Sequence, residues 1–314
     1  MKNISKKDIK GYSWKFSGII PESTGPSVFM LLAAGGVIPS VGVMYFLLLG
    51  GIAMLLLTFT EDQDGNLNLR KMIKESFQSK IFLRLIMAGS ATSFLFICFI
   101  YSMQYESVTE AVIAVRIGPL FKVLLSVLIL KDKIKNWGLI ILAVVFCIIG
   151  LVIMKKIDSF SLANLITPFL LFALAAAFFA ALSGVIEGDL QNCSNLSKAF
   201  ISGSVMIIGG IMLLVWILVM GVSLILPKAY YFISLLYLGM GTIGIPKFTT
   251  LKAYKITGNM SMFAFTEYLI PVLACIWAYT INKERGFDYI TLTIGFLLII
   301  IGLLIANAGI EKKN

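Results

Sequence analysis

The segment VRIGPLFKVLLSVLILKDKIK, residues 115–135, decides how this chain is read, because it recurs. Shifted by 152 positions and without a gap, it falls on EYLIPVLACIWAYTINKERGF, residues 267–287. Pro119 meets Pro271, and Lys131-Asp132-Lys133 meets Lys283-Glu284-Arg285. Further on, Ile149-Gly150-Leu151 meets Ile301-Gly302-Leu303. A second match, at an offset of 159, sets LLLGGIAML (47–55) on MIIGGIMLL (206–214). Proline, charge cluster and glycines all keep register, so the chain reads as two halves of one design, 1–157 and 158–314.

The repeated segment lies in apolar surroundings. The chain is 59% hydrophobic and 13% charged over 314 residues, far from the roughly one-quarter charged composition of soluble domains. Apolar runs fall near 39–59, 82–101, 109–130, 137–154, 163–186, 199–226, 231–254, 261–281 and 290–308. Most approach the ~20 residues that span hydrocarbon, and none alternates as a barrel strand would. The expected fold is an all-α polytopic membrane protein of about ten transmembrane helices. Five spans per half is an odd number, so the second half runs through the membrane upside down, as in many secondary transporters.

Charge distribution supports the tenth span. With ten spans and both termini inside, eighteen Lys and Arg fall on the cytoplasmic side and five outside; nine spans give thirteen and ten. The missing first span projects onto residues 4–35, where Pro21, Glu22, Pro26 and glycines make a poor lipid-facing helix. Three readings stay open there: a broken helix buried among neighbours, a short one, or a lost one. The N-terminus lacks the apolar region and cleavage site of a signal peptide.

Several chemistries drop out. The chain has no histidine, which removes His bases, HExxH zinc sites and His proton relays. Cys98, Cys147, Cys193 and Cys275 show no paired spacing and read as packing residues, so neither a disulfide framework nor a metal site is expected. GMGTIG (239–244) is formally GxGxxG, but inside an apolar span its small residues read as close helix contacts, like Gly50-Gly51 and Gly209-Gly210. The net charge of +10 reads as a topology signal, so no nucleic-acid partner follows from it.

Two copies of a helix with an early proline, an acidic residue among basic neighbours and a following glycine-bearing helix resemble the EamA branch of the drug/metabolite transporter superfamily. The copies here are IGPLFKVLLSVLILKD and LIPVLACIWAYTINKE, preceded by IYSMQYESVT and LKAYKITGNMS. Asp132 stands where the family's first half usually has Glu. The resemblance covers roughly 39–308 and implies a ten-helix transporter without cofactor, whose substrates include amino acids and related metabolites. It also implies an integral protein of a bacterial cytoplasmic (inner) membrane. The expected partners are a small metabolite and the bilayer, with a homodimer left open.

Intramembrane charge supplies the candidate site residues. A cation at the centre of a span costs about 2.5–3.5 kcal/mol on insertion scales, so it normally faces a cavity or a partner. At 100° per residue, Arg116 and Lys122 lie about 60° to either side of Pro119, and Glu267 lies about 40° from Pro271. A helix-interior proline frees a carbonyl one turn earlier, which makes its face suited to a polar cavity. Arg116 is expected to hold a carboxylate or phosphate and Glu267 an amine or hydroxyl; the plainer alternative pairs them with each other. Lys247, central in its span after Pro246, and Lys122, closer to a helix end, are further candidates, and Tyr268 stands beside Glu267. Glu22 could line the cavity or sit in water. Glu110 and the clusters 131–133 and 283–285 read as interfacial charge.

The leading expectation is a secondary transporter of an amino acid or related zwitterion, working by alternating access. A phosphorylated sugar or nucleotide-type anion is the alternative, favoured by three intramembrane cations. A structural subunit or an intramembrane enzyme is the alternative class, although no nucleophile–base pair supports an enzyme.

Overall fold

The computed structural model describes residues 6–61, 69–130, 136–154, 167–226, 228–246, 248–250, 253, 269–284 and 288–308. Every regular element among them is helical. In the first half these are α1 (Lys6–Ala34), α2 (Pro39–Glu61), the short α3 (Leu69–Ser76), α4 (Ser79–Tyr105), α5 (Val108–Val115), α6 (Gly118–Leu130) and α7 (Trp137–Met154). The second half contains α8 (Pro168–Cys193), α9 (Lys198–Val219) and α10 (Tyr231–Leu236), which runs on as a π-helical turn, Tyr237–Gly244. Helices α11 (Leu269–Ile281) and α12 (Tyr289–Ala308) follow.

Seven segments are long and apolar enough to cross a membrane: 39–59, 79–105, 108–129, 137–154, 168–193, 198–219 and 231–250. Leu269–Ile281 and Ile290–Ala306 are apolar but shorter. The third of these spans joins α5 and α6 through a tightened turn. There Arg116, Ile117 and Leu120 donate to carbonyls three residues back, and Pro119 enters α6 at its second position. A proline in a first turn forfeits no helical bond, because that N–H has no intrahelical acceptor. The interruption is therefore stable.

The segment that the sequence leaves between broken, short and lost forms one continuous helix of 29 residues, with Pro21 and Pro26 inside it. Three of its polar residues, Lys15, Ser23 and Thr24, find partners across the bundle. Lys15, Ile19, Ser23 and Ser27, spaced by four, form a buried stripe. Trp277 Nε1 on α11 donates to Ser23 Oγ at 2.9 Å, Thr24 shares a 2.7 Å bond with the Tyr237 hydroxyl, and Lys15 Nζ donates to Thr250 Oγ1 at 3.0 Å. Long-range hydrogen bonds of this kind are what make a polar, proline-bearing helix tolerable inside the bundle.

Glycines set the main helix crossings, and each crossing occurs in two related copies. A methyl group built on Gly150 of α7 would lie 2.6 Å from the Gly295 carbonyl oxygen of α12, and one on Gly295 equally close to the Gly150 oxygen. Shifting by 152 turns that contact into Gly302 against Ala143, where the distance is 2.8 Å. Between α2 and α9, Gly51 meets Ile207 at 2.6 Å, and its counterpart Gly210 meets Leu48 at 2.8 Å. No side chain other than hydrogen lets backbones approach this closely. Helices α4, α8 and α9 pack against one another beside these crossings, and α1 packs on α11 and the π-helical turn.

Candidate substrate site

A cavity of about 310 Å³ lies where α1, α2, α4, α5, α8, α11 and the π-helical turn converge. Among the described residues its charged lining consists of Glu22 from α1 and Arg116 from the α5–α6 turn. Thr242 of the π-helical turn adds a hydroxyl group. The rest of the wall is apolar, with Phe29, Phe46, Phe96 and Phe99 prominent. Phe46 meets Phe29 and Phe96 edge to face, with ring centroids 5.2 and 4.7 Å apart. Apolar walls with a few convergent polar groups are the usual make-up of a small-molecule site, and this volume is near the lower end of the usual range.

Each charged residue is placed by a local device. Arg116 caps the C-terminus of α5, its N–H reaching the carbonyls of Ile113 and Ala114, so it stands at the interruption of a span. It lies eight residues from Val108, roughly 12 Å of rise into a span of 22 residues. The start of α5 is fixed twice. Ser107 and Glu110 form a capping box, and Glu284 from the far end of α11 accepts from Val108 N at 2.9 Å and Thr109 Oγ1 at 3.4 Å. Glu110 and Glu284, read from sequence as interfacial charge, are thus caps on the helix that carries Arg116. A left-handed Lys283 (φ 57°) turns the chain so that Glu284 reaches that position. On α1, Pro26 removes the helical donor for the Glu22 carbonyl, in the turn that lines the cavity.

The other residues singled out from sequence are distributed differently. Lys122 is exposed on α6, its Nζ 3.8 Å from the position a Cβ on Gly184 would occupy, and it does not line the cavity. Pro119 is exposed as well. Pro271 is buried on α11 and borders a larger, apolar hollow of about 510 Å³ against α5 and α12, with Thr109, Cys275 and Phe296. Among the described residues, no charged side chain lines that hollow. Glu267, Tyr268 and Lys247 lie outside the described residues. Sequence reasoning left Glu22 undecided and did not foresee the π-helical turn; small residues at four of its eight positions were the available signal.

The geometry defines a class: a polytopic helical membrane protein with a charged, aromatic-walled cavity inside its helix bundle. Residues 23–155 match the model of the EamA-like transporter family, in agreement with the resemblance read from sequence. A solved crystal structure is similar over 96% of this chain and 99% of the other, with a TM-score of 0.60 and 15% identity; at that identity the likeness concerns the fold alone. No curated protein matches the sequence.

Proposed function

We propose that this chain is a secondary transporter that carries an amino acid or closely related zwitterion across the membrane by alternating access. The observation behind this reading is that Glu22 and Arg116 line one cavity of about 310 Å³ inside the helix bundle. An acid and a cation on the wall of one small space match the two charges of a zwitterion. The aromatic wall offers apolar contact to the remainder of such a molecule. Among the described residues Arg116 is the one cation of that wall, because Lys122 is exposed elsewhere. This balance favours a zwitterion over a phosphorylated anion.

The twin glycine crossings support two inverted five-helix repeats, 1–157 and 158–314, in a ten-span arrangement. Exchanging each helix with its counterpart turns the Gly150–Gly295 contact into Gly302–Ala143 and the Gly51–Ile207 contact into Gly210–Leu48. Cys147 and Ile299, which are equivalent under the 152-residue shift, face each other, with Cys147 Sγ 3.9 Å from the Ile299 oxygen. A rocking movement about such an axis would expose the cavity to one side and then the other. The distribution of Lys and Arg supports an orientation with both termini in the cytoplasm, and the family resemblance a bacterial inner membrane. Glu267, Lys247 and Tyr268 remain candidates for further substrate contacts.

The test is counterflow in proteoliposomes with labelled amino acids, S-adenosylmethionine and sugar phosphates, comparing native protein with Arg116→Gln and Glu22→Gln. Exchange of zwitterions that both substitutions weaken is the expected result. Exchange confined to sugar phosphates would overturn the substrate class, and exchange untouched by either substitution would remove these residues from the site.

A further inference from the structure

One carboxylate within a membrane-crossing helix is held, among the described residues, by hydroxyl groups alone. Glu187 lies on α8, six residues and roughly 9 Å of rise before the helix ends at Cys193. Its Oε1 accepts from Ser183 Oγ at 3.2 Å, and its Oε2 accepts from Ser202 Oγ of α9 at 2.9 Å. Ser183 also shares a 2.7 Å bond with Thr92 Oγ1 of α4, and both of these hydroxyl residues are buried. Among the described residues no cation stands within ion-pair distance of Glu187. The nearby Arg84 is paired with Asp189 at 3.1 Å.

Hydroxyl partners distinguish this carboxylate from a structural ion pair. Lys and Arg only donate, so they hold a carboxylate in its charged form. A serine hydroxyl donates to the carboxylate and can accept from the carboxylic acid, so Ser183 and Ser202 satisfy Glu187 in both protonation states. The oxygens also touch one another at hydrogen-bond distance, where a metal site would spread them around a centre. The arrangement suits a proton.

Helix geometry connects Glu187 with the cavity. Ala180 of α8 lines the cavity, and Ser183 and Glu187 follow it at three and seven residues, on the same face and within roughly 10 Å. On α4, Phe96 and Phe99 line the cavity four and seven residues beyond Thr92. At the opposite end Arg84 and Asp189 are partly exposed to water. The remaining charges nearby are exposed Lys80 on α4, Lys122 beside Gly184, Lys198 one turn before Ser202, and Glu75 of α3, which accepts from Asn195 N.

We propose that Glu187 is the proton-binding site of the transport cycle, loaded from the Arg84–Asp189 end and linked to the substrate cavity through Ser183 and Thr92. The step adds one proton to the carboxylate and removes one charge from the junction of α4, belonging to the first half, with α8 and α9 of the second. This inference rests on the transport reading, so its test has two arms. Infrared difference spectra of the protein in nanodiscs, recorded across a pH titration, need no substrate. They should show a protonated-carboxyl band that Glu187→Gln removes and Glu187→Asp keeps at a shifted position. A spectrum unchanged by Glu187→Gln overturns the proposal, whatever the substrate proves to be. In proteoliposomes, accumulation of the exchanged solute driven by a pH gradient should collapse to a ratio of about one in Glu187→Gln and return in part in Glu187→Asp. Accumulation that survives in Glu187→Gln overturns it too. Failure of the native protein to exchange any solute counts against the transport reading, while the infrared band still decides whether Glu187 binds a proton.

Discussion

The contact between Gly150 and Gly295 allows a prediction whose size follows from geometry. Added at either glycine, a methyl group stands 2.6 Å from a backbone carbonyl oxygen of the opposite helix, and ordinary contact begins near 3.4 Å. The helices must therefore part by about 0.8 Å at the crossing, and a backbone oxygen cannot rotate away as a side chain can. Overpacking of this kind costs about 1–3 kcal/mol. Gly150→Ala and Gly295→Ala should each destabilise the protein by that amount. The two methyl groups are relieved by the same separation of α7 and α12, so the double variant should cost little more than either alone. A double-mutant cycle read by reversible unfolding in mixed micelles should give a coupling of about 1 kcal/mol or more, with the sign of a cost already incurred. Strict additivity, or single variants as stable as the native protein, would refute the reasoning that backbone contact fixes this crossing.

Two further outcomes follow from the site. If Arg116 holds the substrate carboxylate, losing a charge-assisted hydrogen bond worth about 1.5–3 kcal/mol should raise the half-saturation concentration by about 10- to 150-fold in Arg116→Gln. The matching amine without a carboxylate should be unaffected, and Glu22→Gln should show the reverse pattern; competition of both analogues against counterflow measures this. Glu284→Gln weakens a cap on α5, and a cost of about 1 kcal/mol, seen as a lowered midpoint of thermal unfolding in detergent, is expected.

How far the sequence reached can be judged from particular residues. The apolar helices were legible because a bilayer imposes length and composition on each span separately. The glycine pairs were legible as close contacts because that role depends on absent atoms. Lys122 illustrates the limit of periodicity. Counting 100° per residue from Pro119 assumes one unbroken helix, and the tightened turn at Arg116–Ile117 ends α5 before α6 begins. Arg116 consequently lines the cavity while Lys122 is exposed on α6.

Membrane class and the presence of intramembrane charge were therefore determined by sequence alone, since each depends on composition within the chain. The continuity of α1, the meeting of Glu22 with Arg116 in one cavity, the cap that Glu284 places on α5, and the hydroxyl shell of Glu187 were decided by tertiary structure. Each depends on how helices meet, which the register of a single segment does not reveal. A polar, proline-bearing segment such as 6–34 becomes a stable helix only when Trp277, Tyr237 and Thr250 are present to meet its hydrogen-bonding groups.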